Sequence, residues 1–377
     1  MSELTNTPRR NIRWELLATV SAVALFTSAC DIGPAWAADD GNRPTLWIEL
    51  GAQSEQTNGF SGAVISPFTS EIVADGFMSP IKSQKELSQS IGGQGKISFQ
   101  PENSDWVFSA SALYGRANGG QSTHNQTPGG KRHVSFVTSS GTLHTGSITP
   151  NPAVERFAET RTNDSAAHII ADFQAGKDIG LGLFGSGGQS TFGLGVRFAQ
   201  FTSKQNLTLL ADPDFYYPLD IFHKSHFHHT YMASSHIDRS FRGLGPSLSW
   251  NASAPVIGNP ANGGMALDWG MNAALLFGRQ KAQGRHQTVG TYYRTQRVLK
   301  YHFTSHIHRS GNPDRSHTVI VPNLGGFAGI SFNFSSAKVS LGYRADFFFG
   351  AMDDGIDTRK SENASFYGPF ATIGIGF

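Results

Sequence analysis

Seven charged residues, Glu49, Lys96, Asp172, Arg197, Asp268, Arg344 and Asp346, occupy the same side of segments whose every second residue is apolar. Alternation puts successive side chains on opposite faces of a strand. A Lys or Arg facing lipid at mid-bilayer costs ~2–4 kcal/mol, so these charges belong on the face away from lipid. Rings of charge along a lumen set ion and solute selectivity. Acids and bases are mixed here, so no strong cation or anion preference follows. The alternative is salt bridging across the lumen, which braces the wall. Arg344 and Asp346, two apart on one face, suit either use.

Other reactive types are plentiful. His223, His226, His228, His229 and His236 crowd one stretch, and His302, His306, His308 and His317 another. Imidazole ligates zinc, copper and nickel, which makes a metal-capturing loop one reading. No fixed tetrahedral spacing is present, and a polar loop rich in histidine is the other reading. No metal or other cofactor is expected. Ser186 sits in Gly185-Ser186-Gly187, a turn without the strand-to-helix elbow that exposes a serine nucleophile. No enzyme activity is expected.

The elements that position these residues alternate. Phe377, Ile375, Ile373, Ala371, Pro369 and Tyr367 share one face of the last segment, and Gly376, Gly374, Thr372, Phe370 and Gly368 the other. The same period recurs in Leu46–Ala52, Trp106–Tyr114, Ala167–Ala175, Phe192–Phe198, Leu244–Ala252, Leu267–Phe277, Ala328–Phe334 and Val339–Phe349. Weaker strands are predicted at Lys96–Gln100, at Lys131–Thr138 and within 178–184. In most segments one face is bulky and apolar, the other glycine, serine, asparagine or charge. A soluble sandwich hides its bulky face and charges its outer one. The opposite pattern predicts an all-β, antiparallel, up-and-down transmembrane barrel, apolar outside and hydrated inside. An aromatic final residue, Phe377, also fits the signal read by the barrel-assembly machinery.

Length and composition agree. At ~28 residues per strand with its loop, the 340 residues left after a leader of 37 supply about 12 strands, within a range of 10–14. Glycine is abundant, 43 of 377 residues, and only 15% are charged. A net charge of +2 gives no reason to expect a nucleic acid. Polar stretches at 54–92, 117–165, 203–229 and 280–318 are predicted as long extracellular loops. Phe334–Ala337 is predicted as a short periplasmic turn.

The N-terminus reads as a secretory signal over 1–37. Arg9, Arg10 and Arg13 precede the apolar run Leu16–Ala29, and Ala35-Trp36-Ala37 is a small-x-small cleavage site. The run is too short for a helical span of ~20 residues. Thr27-Ser28-Ala29-Cys30 loosely matches a lipoprotein box, whose use would lipidate Cys30. Cleavage near Ala37 leaves no cysteine and no disulfide. The barrel then occupies 38–377, in a Gram-negative outer membrane, with membrane lipid, small solutes or ions and a second copy of the chain as candidate partners.

Three stretches resemble the Legionella-type major outer membrane protein family. They are Phe241-Arg242-Gly243-Leu244-Gly245-Pro246 with the strand after it, Trp269–Gln280, and Val321–Gly326 with Ser340–Asp357, joined by Phe366–Phe370. The resemblance covers mainly 241–377. It implies a porin-like barrel for passive diffusion of small hydrophilic solutes or ions, with no catalytic residues. A plugged barrel serving as an adhesin or structural surface protein is the alternative.

Overall fold

The computed structural model describes residues 45–60, 88–102, 104–126, 132–137, 142–148, 158–179, 189–211, 225–259, 263–296, 301–334 and 336–377. The expected signal segment 1–37 with Cys30, most of the strand expected within 178–184, Ser186 and His223 fall outside the described residues.

The described strands are β1 (Thr45–Asn58), β2 (Ser88–Gln100), β3 (Trp106–Gln126), β4 (Arg132–Val137), β5 (Leu143–Ile148), β6 (Ala158–Asp178), β7 (Gln189–Ala211), β8 (Ser225–Asn259), β9 (Gly263–Gln296), β10 (Tyr301–Gly311), β11 (Asp314–Asn333), β12 (Ala337–Asp353) and β13 (Ser361–Gly376). All but β4, β5 and β10 form one antiparallel ring. Each strand pairs with the next, β8 with β9, β9 with β11, and β13 with β1. A ring has no free edge, as a sheet immersed in lipid requires. Ten staves make it, an even number at the low end of the expected range. β4 and β5 form a separate hairpin, at the position where a weaker strand is predicted.

β10 is not an eleventh stave. It holds the same register on β9 as β11 does: Gly311 faces His286, and Asp314 faces Gln283. The two are one long strand interrupted at Asn312-Pro313. Pro313 has no N–H to give to a ladder. Its carbonyl still accepts from the Gly284 amide at 2.9 Å.

One end of the barrel carries the short connection between β11 and β12, where the Phe334 amide donates to the Ala337 carbonyl at 2.7 Å, and both chain ends of the ring. There Leu46 and Phe377 exchange backbone hydrogen bonds of 3.1 and 2.8 Å. Near this end the outward residues are bulky and exposed: Leu244 and Leu248 on β8, Leu267, Met271 and Phe277 on β9, Leu341, Tyr343 and Phe347 on β12. They form the apolar band that meets lipid.

The opposite end corrects the loop expectations. Much of 117–165, 203–229 and 280–318 is strand rather than loop, whereas of 54–92 only the ends, 54–58 and 88–92, are strand and 61–87 lie outside the described residues. β8 has 35 residues and β9 has 34, where ~9–11 cross a membrane. The reason is physical. Beyond the lipid band, water replaces lipid, so outward positions become polar too. On β7, Lys204 and Leu210 face out while Ser203, Gln205 and Leu207 are buried. The alternation fades, but the backbone ladder runs on from Phe198–Leu244 to Ala211–Tyr231.

The interior corrects a second expectation, that of a hydrated lumen throughout. A cluster of buried apolar side chains fills its upper part, including Phe60, Phe201, Phe241, Phe348 and Phe366. An eight-stranded barrel is just filled by its own side chains, and ten strands are little wider. Burying each ring contributes ~1.5–3 kcal/mol, so filling the space with apolar groups stabilises the fold.

Candidate functional site

Below the apolar cluster, toward the short turns, lies a polar chamber of about 380 Å³. All seven charged residues singled out above line it. Strand register explains why. Asp172 and Arg197 are direct partners on β6 and β7, and Glu49 and Lys96 on β1 and β2.

Arg197 reaches across the chamber. Its Nε and Nη2 donate to both oxygens of Asp172 at 2.7 and 2.9 Å. Nη1 donates to Asn272 on β9 at 2.6 Å and to Asn323 on β11. Asp346 on β12 stands 3.8 Å from the same nitrogen. One guanidinium thus ties four other staves together. Its planar fork suits this bidentate, multi-partner role in a way an ammonium does not.

Arg344 does not pair with its strand neighbour Asp346. It donates to Gln94 on β2, and its guanidinium stands over Phe327 at 5.9 Å and Phe370 at 5.4 Å. Asp268 accepts from Ser253 Oγ at 2.6 Å and meets Lys338 Nζ at 2.6 Å. Sequence reasoning missed Lys338, Gln94, Asn272 and Asn323. Lys338 has the same parity as Ser340, one residue before the recognised start of alternation at Val339. With Lys338 the chamber holds four carboxylates and four cations. The charges of the chamber therefore balance in number.

Above it the phenylalanines form a seal. Phe201 stacks on Phe241 at 5.6 Å, and meets Phe348 edge-on at 4.7 Å and Phe366 at 5.3 Å; Phe60 packs on Phe366 at 5.5 Å. These rings come from β7, β8, β12, β13 and, for Phe60, the residues just after β1, so contacts close around the lumen. Buried polar groups interrupt the seal on one side. Glu55 and His168 approach to 3.3 Å, without forming a hydrogen bond. Gly115 makes room for them, because a Cβ there would lie 2.2 Å from His168 and 2.5 Å from Glu55.

The connection between β12 and β13 covers the seal. The β12 register shifts after Phe348, and Gly350 adopts φ +68°, a left-handed conformation that glycine takes without strain. Ala351, Met352 and Ile356 are buried. Three staves hold the connection. Arg315 of β11 donates to Asp353 at 3.0 Å and to the carbonyls of Gly355 and Ile356. Arg239 of β8 lies 3.6 Å from Asp354, and His286 of β9 lies 2.7 Å from Asp357. Asp353 also accepts from the amides of Gly355 and Lys360, both at 3.0 Å. Burial alone would raise its carboxyl, but these donors and the Arg315 charge outweigh it and hold Asp353 below the ordinary carboxylate value.

Of the clustered histidines, His236, His308 and His317 have described side chains. His236 contacts Asn206 and Asp238, and His308 contacts Gln287. Among the described residues no three His, Cys, Asp or Glu side chains are placed to hold a metal.

No protein-family model and no curated protein matches the chain. Solved structures similar to it include the translocator domain of the autotransporter NalP from Neisseria meningitidis, at 10% identity, 96% of this chain, 98% of that one and TM-score 0.24. The toluene transporter TbuX from Ralstonia pickettii is similar at 10% identity over 89% and 90%, TM-score 0.21. A mutant of the monoaromatic hydrocarbon channel TodX is similar at 9% identity over 90% and 91%, TM-score 0.21. These superpositions are loose, and the fold assignment rests on the strand pairing and the lipid-facing band.

Proposed function

We propose that this outer-membrane barrel is a plugged surface protein whose lumen is closed at rest, with the polar chamber open toward the short-turn side. One observation carries the reading: five phenylalanine rings from different parts of the wall meet inside the lumen, each at most 4% exposed. A water-filled porin needs wider spacing than a ten-stave ring provides. The wall extending beyond the membrane on β8 and β9 supports a role for the outer surface, as an adhesin or a structural element. A non-catalytic role belongs to this reading, because the family resemblance implies no catalytic residues. Delivery through a cleaved leader ending near Ala37, and insertion by the assembly machinery through the Phe377 strand, belong to the same reading.

The second reading is the porin-like one, for passive diffusion of small hydrophilic solutes or ions. The resemblance to the Legionella-type family favours it, as does the balanced polar chamber. It requires the β12–β13 connection and the phenylalanine seal to move aside.

Single-channel recording in planar bilayers separates the two. The expected result is silence from the native protein, and stepwise conductance after removal of residues 354–360 together with Phe201→Ala and Phe366→Ala. Stepwise ohmic conductance from the native protein would overturn the plugged reading in favour of the porin.

A further inference from the structure

The lipid-facing wall of β8 and β9 carries charge that the barrel does not neutralise. Outward residues run apolar through Leu248 and Leu244 on β8 and through Met271, Leu275 and Phe277 on β9. The next outward pair is Arg242 and Arg279, direct cross-strand partners. The row after that holds Lys281, opposite Ser240 and Ser316. All three cations are exposed. No acid stands in either row of β8, β9 and β11; Asp238 and Asp314 appear only in the row beyond, opposite Gln283.

Like charges directly opposite each other weaken a strand pair. Two arginines held so, with a lysine beside them, point to an anion between them. The geometry narrows the anion. Arg242 is laid along Phe198, 5.4 Å from the ring, at the rim of the apolar band. Arg279 is steadied by a hydrogen bond to Ser316 Oγ. Lys281 has no ion pair among the described residues. Guanidinium forks bind phosphate oxygens in pairs, and lysine adds a mobile third donor. The site is continuous with the exposed apolar band of Leu244, Leu248 and Phe277.

We propose that Arg242, Arg279 and Lys281 form a binding site for the phosphate of an outer-leaflet lipid, whose acyl chains lie along Leu244, Leu248 and Phe277. This rests on the membrane placement described above and not on whether the lumen is plugged. Basic clusters at a membrane edge recognise anionic headgroups in this way.

The test is native mass spectrometry of the detergent-folded protein with a bis-phosphorylated glycolipid of the lipid A type, the same lipid dephosphorylated, and inorganic phosphate. The native protein is expected to retain the phosphorylated lipid at least about tenfold more tightly than the dephosphorylated one. The variant carrying Arg242→Ser, Arg279→Ser and Lys281→Ser is expected to lose that preference. It should melt no lower than the native protein in lipid-free detergent, because like-charge repulsion is removed. Equal retention of the two lipids by the native protein, or an unchanged preference in the variant, overturns the site. Equally tight binding of inorganic phosphate overturns its assignment to a lipid. A silent bilayer recording that accompanies either result leaves the plugged reading intact, so the two proposals fail separately.

Discussion

Arg197 shows how a charge on the lumen face is used. At 4% exposure it satisfies Asp172, Asn272 and Asn323 and faces Asp346, itself 5% exposed. Breaking a buried pair by removing one partner leaves an uncompensated charge, at a cost of ~3–5 kcal/mol. Arg197→Ala should therefore destabilise the barrel by about that much, whereas Arg197→Ala with Asp172→Asn and Asp346→Asn should recover part of it. Denaturant titration of the detergent-folded protein measures both, and equal stability of single and triple variants would refute the brace. The lumen face of these charges was legible in the sequence, since parity within each alternating segment gives it. Their partners were not. Asn272 and Asn323 are ordinary polar residues in sequence, and only ring closure brings β7, β9, β11 and β12 around one guanidinium. The seal left a signal that alternation does register. Phe201 continues the parity of Arg197 and Ala199, and Phe348 and Phe366 sit at inward positions of their strands. Bulky residues at inward parity mark a filled level of the lumen.

At the scale of elements, the β12–β13 connection is held by one carboxylate above all. Asp353 is kept below its usual value of 3.8 by the donors around it. A depressed folded value means stabilisation that is fully present well above 3.8 and is lost as pH falls through the lowered value. The charged groups packed around it are Arg315, Arg239, Lys360 and Asp354. Acidification below about pH 4 should loosen the connection and raise its sensitivity to an acid-active protease. Asp353→Asn should show the loosened behaviour already at neutral pH. Unchanged cleavage across that range would place the restraint elsewhere. This element was not legible beforehand. Met352, Asp353 and Ile356 were read only as part of the Ser340–Asp357 stretch that carries the family resemblance, and their inward course depends on Gly350 and on arginines from strands remote in sequence.

For the whole molecule, the membrane-crossing half was read correctly because lipid and water impose opposite demands on the two faces of a strand. The outer half was misread because water lies on its outside and polar groups on both faces erase the contrast. Yet its backbone ladder continues along β8 and β9 to Ser225–Gln296. Hydrogen exchange in bilayers should therefore find amides such as those of Phe241, Ile237 and Ala282 protected well beyond the seconds typical of open loops. Complete exchange of these amides at the first time point would restore the loop expectation.

The reach of Arg197 has a mechanical corollary. Hydrogen bonding between staves fixes the girth of a closed sheet but not its outline, since a hoop of constant perimeter can flatten into an oval. A spoke anchored to β6, β9 and β11 resists that flattening at its own height. Lateral squeezing by the surrounding bilayer is then met by an internal strut, and the protein keeps its cross-section where the membrane presses on it.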